Sequence, residues 1–265
     1  MMNYGFIGCG HMGSELARIV AKSGEKIALA NRTLSKAEAL AKETGGKVLS
    51  SKEICESAKY IYIGVRPQDL NTLSGEIKGV LASRKDRFII VTMLAGKTIK
   101  QVKEALGVDA PIIKIMPNTP IKVGAGVILY SKDEKITEAE EEFFKASLSA
   151  SGEIIEIDEK LMNAGGVVSG SGPAYVYKFL LAFAKAGEAL GFDAETSMKL
   201  VCETAVGSAK MVLESGKSAE TLCGEVCSKG GSTEQGVFKI DASDLDEIFE
   251  SACKASYNRT LEMGK

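Results

Sequence analysis

Tyr4-Gly5-Phe6-Ile7-Gly8-Cys9-Gly10-His11-Met12-Gly13 opens the chain with an apolar run that ends in three glycines spaced GxGxxG, and residues 14–21 after it have helix-forming composition. The spacing alone says little; a strand before it and a helix after it give it meaning. In that setting Gly8 permits a tight turn, Gly10 lets the backbone approach a pyrophosphate, and Gly13 lets the helix start close to the strand. An anion then rests on the free N–H groups at the positive end of the helix. The competing reading is a glycine turn that serves packing alone. His11 is the one histidine of the chain, and its place inside the turn makes it a loop residue rather than a catalytic group.

Outward from this turn, apolar runs at residues 4–7, 26–30, 60–65, 88–92, 112–116, 126–130 and 153–157 alternate with helix-length stretches such as 34–44. That alternation predicts an α/β domain, a Rossmann-type parallel sheet with helices on both faces, over residues 1–160. After Asp158 the strand pattern stops. Helices are expected at 175–190, 194–214, 219–227, 233–240 and 243–262, forming an all-helical C-terminal domain over 161–265. The helix over 175–190 is apolar around most of its circumference (Tyr175, Val176, Tyr177, Phe179, Leu180, Leu181, Phe183, Leu190), so it must be covered on several sides. A second copy of the chain is the expected cover, and the centre of a monomeric bundle is the alternative.

Composition narrows the function. The 265 residues carry 33 basic and 35 acidic side chains, a formal net charge of -2, without long blocks of one sign, so no nucleic-acid partner is expected. The N-terminus lacks a basic stretch followed by an apolar one, which reads as no export signal and a cytoplasmic location. The longest apolar segment, 174–190, is interrupted by Lys178, Lys185 and Glu188 and falls short of the ~20 residues that cross a bilayer, so no membrane partner is expected. Six scattered cysteines suit reduced thiols. With one histidine and no CxxC, no metal site is expected, even though Cys223 and Cys227 lie four apart.

The second strand ends at Ala30-Asn31-Arg32-Thr33, where an NAD-selective site would carry an acid for the ribose 2′-hydroxyl. None stands there. Asn31, Arg32, Thr33, Ser35 and Lys36 offer a guanidinium, an ammonium and short polar groups suited to a 2′-phosphate, so NADPH is the expected cofactor, with Arg32 its main determinant and NADH a possible second.

Further segments carry a family resemblance: Val65-Arg66-Pro67-Gln68, Met93-Leu94-Ala95-Gly96, Met116-Pro117-Asn118-Thr119-Pro120, Ser169-Gly170-Ser171-Gly172-Pro173-Ala174-Tyr175 and Ser228-Lys229-Gly230-Gly231-Ser232-Thr233. With the opening turn, and in this order over nearly the whole chain, they resemble pyrroline-5-carboxylate reductases. The resemblance implies NAD(P)H-dependent reduction of the cyclic imine 1-pyrroline-5-carboxylate to L-proline by a homodimer, sometimes assembled into larger rings. It implies that Gly8, Cys9, Gly10, His11, Met12, Gly13, Val65, Arg66, Pro67, Ala95, Gly96 and Asn118 surround the cofactor. Ser228, Gly230, Gly231, Ser232, Thr233 and Asn118 would hold the imine, with the Thr233 hydroxyl on its ring nitrogen. The residues fit that chemistry, since a glycine turn feeding a helix start presents N–H groups to a carboxylate. Ser171-Gly172-Pro173 reads as a second such helix start, with Pro in the first turn. For Thr233 the alternative is an N-cap hydroxyl.

The chain departs from the family pattern at Lys229 (usually Pro), Arg66 (usually Lys), and Asn163, Gly165 and Gly166 (usually Asp, Val and Thr). Each glycine costs up to ~1 kcal/mol inside a helix. A β-hydroxyacid dehydrogenase would need a lysine four residues after Gly172 and an asparagine one turn later; Val176 and Leu180 stand there. A protein that only senses or sequesters NADPH is the non-catalytic alternative.

Overall fold

Strands this apolar must be covered on both faces, and the chain achieves it with one sheet between two layers of helices. The computed structural model describes residues 2–263. Its strands are β1 (Met2–Ile7), β2 (Ile27–Ala30), β3 (Lys47–Val48), β4 (Ala58–Ile63), β5 (Ile89–Thr92), β6 (Ile112–Pro117), β7 (Gly126–Lys132) and β8 (Gly152–Glu156), in spatial order β3-β2-β1-β4-β5-β6-β7-β8. The helices between them are α1 (His11–Lys22), α2 (Leu34–Thr44), α3 (Ser51–Ser57), α4 (Leu70–Ser83), α5 (Ile99–Leu106) and α6 (Glu138–Ser147). Side chains alternate across the strands. Tyr4, Phe6, Tyr60, Tyr62, Ile113 and Ile115 join one core with Leu16, Val20 and Phe144, while Ile61, Ile63, Ile90 and Ile112 join another with Leu73, Ile77 and Val102. On the first face the rings stack, Tyr4 on Tyr60 at 5.2 Å and Phe6 on Tyr62 at 4.5 Å between centroids.

Two features of the sheet differ from the sequence expectation. β3 was absent from it, because two residues cannot display a period of two; they are a strand only through pairing with Ala28 and Leu29. β7 runs antiparallel to β6, Ile115 opposite Tyr130, whereas all the strands were expected parallel. The connection is the reason. A parallel return needs a crossover of a dozen or more residues, and between β6 and β7 there is room only for the 3-10 turn Thr119–Val123.

After β8 come α7 (Met162–Gly165), a π-helical turn (Gly166–Ser171) and α8 (Gly172–Ala189), without a break. Gly172-Pro173 therefore does not open a fresh helix, as the sequence suggested; it continues one through a widened turn. The chain divides into two compact units at Ser171/Gly172, with the segment from Ser256 on counted in the first. The reason is that residues 159–171 remain tied to the sheet. Buried Lys114, its ammonium disfavoured by desolvation, lies 3.7 Å from Glu159, which also accepts the Ile99 N–H at the start of α5 (2.6 Å). Gly165 and Gly166 are explained here too: a Cβ on Gly165 would lie 2.5 Å from Leu129 Cδ1, and one on Gly166 3.3 Å from Met116 Cε. These glycines admit close packing rather than merely loosening the helix.

The second unit holds α8, then α9 (Ala194–Glu214), α10 (Ala219–Val226), α11 (Ser232–Asp241) and the first half of α12 (Leu245–Met263). Within it only Ala184, Ser197 and Val201 are buried. Ser197 Oγ donates to the Ala184 carbonyl at 2.6 Å, and Gly187 has no room for a Cβ beside that hydroxyl, so α8 and α9 meet closely there. Elsewhere Val176, Tyr177, Phe179, Leu181, Phe183, Val206, Met211 and Val212 are exposed. α8 is thus not the centre of a bundle within one chain. No helix is long and apolar enough to cross a membrane, among the described residues.

Candidate functional site

The opening turn is built as its glycines suggested. Gly8 has φ +98, and a Cβ there would sit 2.7 Å from the backbone of Gly64; a Cβ on Gly13 would sit 2.2 Å from the Gly8 carbonyl oxygen. Around Gly10 nothing lies within 4 Å of that position. Two glycines serve packing, and the third faces open space that a pyrophosphate could occupy. The loop is fastened from β2: the Gly8 N–H donates to the Ala30 carbonyl (2.8 Å) and the Cys9 N–H to Asn31 Oδ1 (3.1 Å), while Asn31 Nδ2 donates to the Thr33 carbonyl (2.9 Å). Burial pushes the Cys9 thiol up to about 11, so it is no nucleophile. His11 Nε2 lies 3.1 Å from Lys122 Nζ, at the surface.

A cavity of about 860 Å³ opens beside the turn. It gathers Gly8, Gly10, Asn31, Arg32, Thr33, Lys36, Val65 and Arg66 from the sequence-derived set. Cys9, His11, Met12, Gly13, Ser35, Pro67, Ala95, Gly96 and Asn118 do not line it. Its size and its one wall of bare glycine backbone fit the adenosine and pyrophosphate of a dinucleotide.

Leaving aside α4 and α7, which lack a side-chain cap but continue directly from the 3-10 turns Pro67–Asp69 and Glu159–Leu161, the helix starts sort into two kinds. α3, α5, α6, α9 and α10 are capped by their own Ser50, Thr98, Thr137, Asp193 and Ser218 side chains. α1 and α2 begin at Gly10 and Thr33 with no side-chain cap and no acid in the first turn. α11 begins at Gly231, also without a side-chain cap, but with Glu234 in its first turn. Most of their first N–H groups have no partner within the helix, the Lys36 N–H on the Thr33 carbonyl (3.1 Å) being an exception, and such ends can accept an anion. They are the ends at which the sequence placed the pyrophosphate, the 2′-phosphate and the substrate carboxylate.

At the α11 start, Gly230 has φ +76 and its N–H donates to Glu234 Oε2 (2.8 Å), while the Gly231 N–H donates to the Ser228 carbonyl (2.8 Å). A Cβ on Gly231 would lie 2.4 Å from Ser228 Oγ. Thr233 is the second helical residue, not the N-cap, which disposes of the capping alternative; its hydroxyl is exposed. Ser228, Gly230, Gly231, Ser232 and Thr233 thus form one turn.

Asn118 is nearly buried, and its amide is engaged: Nδ2 donates to the Ser169 carbonyl (3.0 Å) and Oδ1 accepts the Val127 N–H (2.8 Å). Ser169 stands four residues before Pro173, which has no N–H to give that carbonyl. Asn118 supplies the missing donor and so supports the π-helical turn, a common device beside functional sites. The sequence reading missed Asp69, which also lines the cavity, 3.0 Å from Arg66 Nε and 3.8 Å from Arg32 Nη1. A signal was present: Asp69 follows Arg66 by three residues at a helix start, within ion-pair reach.

Comparisons with known proteins place the chain among known families. Residues 159–263 match the family described as pyrroline-5-carboxylate reductase dimerisation, and residues 3–110 the family described as NADP oxidoreductase, coenzyme F420-dependent. A pyrroline-5-carboxylate reductase of Arabidopsis thaliana is 31% identical over 266 residues, covering 98% of this chain and 95% of its own. The structure of a pyrroline-5-carboxylate reductase from Coxiella burnetii superposes with a TM-score of 0.90 at 29% identity, covering 100% of this chain and 99% of that one. One from Plasmodium falciparum, solved with NADP bound, gives 0.86 at 28%, covering 100% and 98%.

Proposed function

The chain belongs to the pyrroline-5-carboxylate reductase family, and from that premise we propose how its three uncapped helix starts carry the reaction. It is an NADPH-dependent oxidoreductase that reduces 1-pyrroline-5-carboxylate to L-proline, and its C-terminal half serves association into a homo-oligomer. The observation that carries the site assignment is the set of bare helix starts at Gly10, Thr33 and Gly231 in a chain that caps five other helices with its own side chains. The nicotinamide, when bound, supplies the hydride. α1 holds the pyrophosphate on its first N–H groups, and Arg32, Lys36 and the start of α2 hold the 2′-phosphate.

The N–H groups of Ser232 and Thr233 receive the substrate carboxylate, and the Thr233 hydroxyl accepts a hydrogen bond from the protonated ring nitrogen. A protonated imine is already electrophilic at carbon, so the protein's share is orientation and exclusion of water rather than acid catalysis by a histidine. The apolar face of α8 is the surface through which copies associate, the location is cytoplasmic, and nucleic acid is not a partner.

Two substitutions test the assignment. Arg32→Ala raises the Michaelis constant for NADPH by roughly tenfold or more, the loss of a charge-assisted phosphate contact, and changes that for NADH much less. Equal effects on both cofactors would remove the 2′-phosphate role. Thr233→Ala lowers kcat by roughly 10- to 100-fold in a steady-state assay with saturating NADPH. Undiminished turnover would end its assignment to the ring nitrogen.

A further inference from the structure

The acid that is missing after β2 reaches the same corner of the cavity from elsewhere in the chain. Asp69 sits between the turn that follows β4 and α4, and it holds two arginines at once: Arg66 Nε at 3.0 Å on Oδ2, and Arg32 Nη1 at 3.8 Å on Oδ1. Arg32 comes from the end of β2, so one carboxylate joins the two loops that flank the glycine turn. All three side chains line the cavity, with Thr33 and Lys36 beside them. Asp69 has no competing duty: it occupies the N-cap position of α4, yet its side chain caps no N–H there. Of the other acids lining the cavity, Glu53 is spent in a capping box with Ser50, and Glu76 stands two turns further along α4.

Two guanidiniums sharing one monoanion form a group of net charge +1. A phosphate dianion outcompetes a carboxylate for such a pair, because it brings twice the charge and three acceptor oxygens. Without a phosphate, the carboxylate remains and can accept a hydrogen bond from a neutral hydroxyl. The corner is therefore suited to either ribose, the phosphorylated through the arginines and the plain through Asp69.

We propose that Asp69 is the residue that sets the balance between the two dinucleotides: it accepts the ribose 2′-hydroxyl of NADH, and it cedes Arg32 and Arg66 to the 2′-phosphate of NADPH. The inference rests on reading this cavity as the dinucleotide site. Asp69→Asn keeps the shape and removes the charge. The nucleotide then meets less repulsion if it carries a 2′-phosphate, and loses its charged acceptor if it does not.

The test is calorimetric titration of the full-length protein with two fragments, 2′,5′-ADP and 5′-ADP, which separates binding from turnover. In Asp69→Asn the first binds more tightly and the second more weakly, shifting their affinity ratio by about tenfold, the order expected for a charged hydrogen bond and a like charge together. Arg66→Gln, which frees Asp69 from one partner, moves the ratio the opposite way and serves also if the first variant fails to fold. Parallel changes for both fragments, or none, overturn the role of Asp69. If Arg32→Ala leaves 2′,5′-ADP binding intact, the cavity reading itself falls; if Arg32→Ala weakens it while Asp69→Asn leaves the ratio unmoved, only the present inference falls.

Discussion

Gly10→Ala abolishes NADPH binding and leaves the melting temperature unchanged, whereas Gly13→Ala lowers both. The two glycines stand three residues apart in one turn, but their surroundings are opposite. A methyl on Gly10 meets no protein atom within 4 Å, so it occupies only the space a pyrophosphate needs. A methyl on Gly13 meets the Gly8 carbonyl oxygen at 2.2 Å, backbone against backbone, and neither side can yield without opening the turn. Strain of that kind costs about 1–3 kcal/mol or more, enough for a visible loss of melting temperature. Fluorescence titration with NADPH and thermal melts of both variants give the four numbers. A Gly10→Ala protein that still bound NADPH normally would return the turn to a packing role.

The second large effect is expected from the double substitution Phe179→Glu, Phe183→Glu on α8. These rings touch each other, with centroids 6.0 Å apart, and stand about half exposed in the single chain at 51% and 49%. Fully burying a phenylalanine contributes about 1.5–3 kcal/mol, about half of which remains to be gained by rings already half covered, and in a two-fold pair each change occurs twice, so the association loses on the order of 5 kcal/mol before the cost of the new charges. Sedimentation velocity should show monomers. Activity should fall by orders of magnitude, since a unit with only Ala184, Ser197 and Val201 buried has no core of its own to keep it ordered. A double variant that stayed associated and active would move the interface elsewhere.

The parts of the molecule that were legible in the sequence are those fixed by local pattern. The helix expected at 194–214 is α9 (Ala194–Glu214), because Asp193 caps its start and an apolar stripe runs its length. The glycine turn was legible because strand, turn and helix are contiguous. What was not legible depends on distant partners. β3 exists only beside β2, and β7 reverses because its connection is short. Asp69 acquires meaning only when folding brings Arg32, 37 positions earlier in the chain (69 − 32), to the same carboxylate. Asn118 was read as a ligand-facing residue from its motif, yet its amide bonds the Ser169 carbonyl that Pro173 leaves bare, a relation between segments 51 positions apart.

The unfinished starts of α1, α2 and α11 also bear on the protein at rest. Each leaves peptide donors that water or a solute must complete, so on the proposed reading a bound ligand would act as a removable structural part. Occupancy and rigidity would then rise together, and a buffer rich in sulfate would imitate, in part, a cell rich in nucleotide.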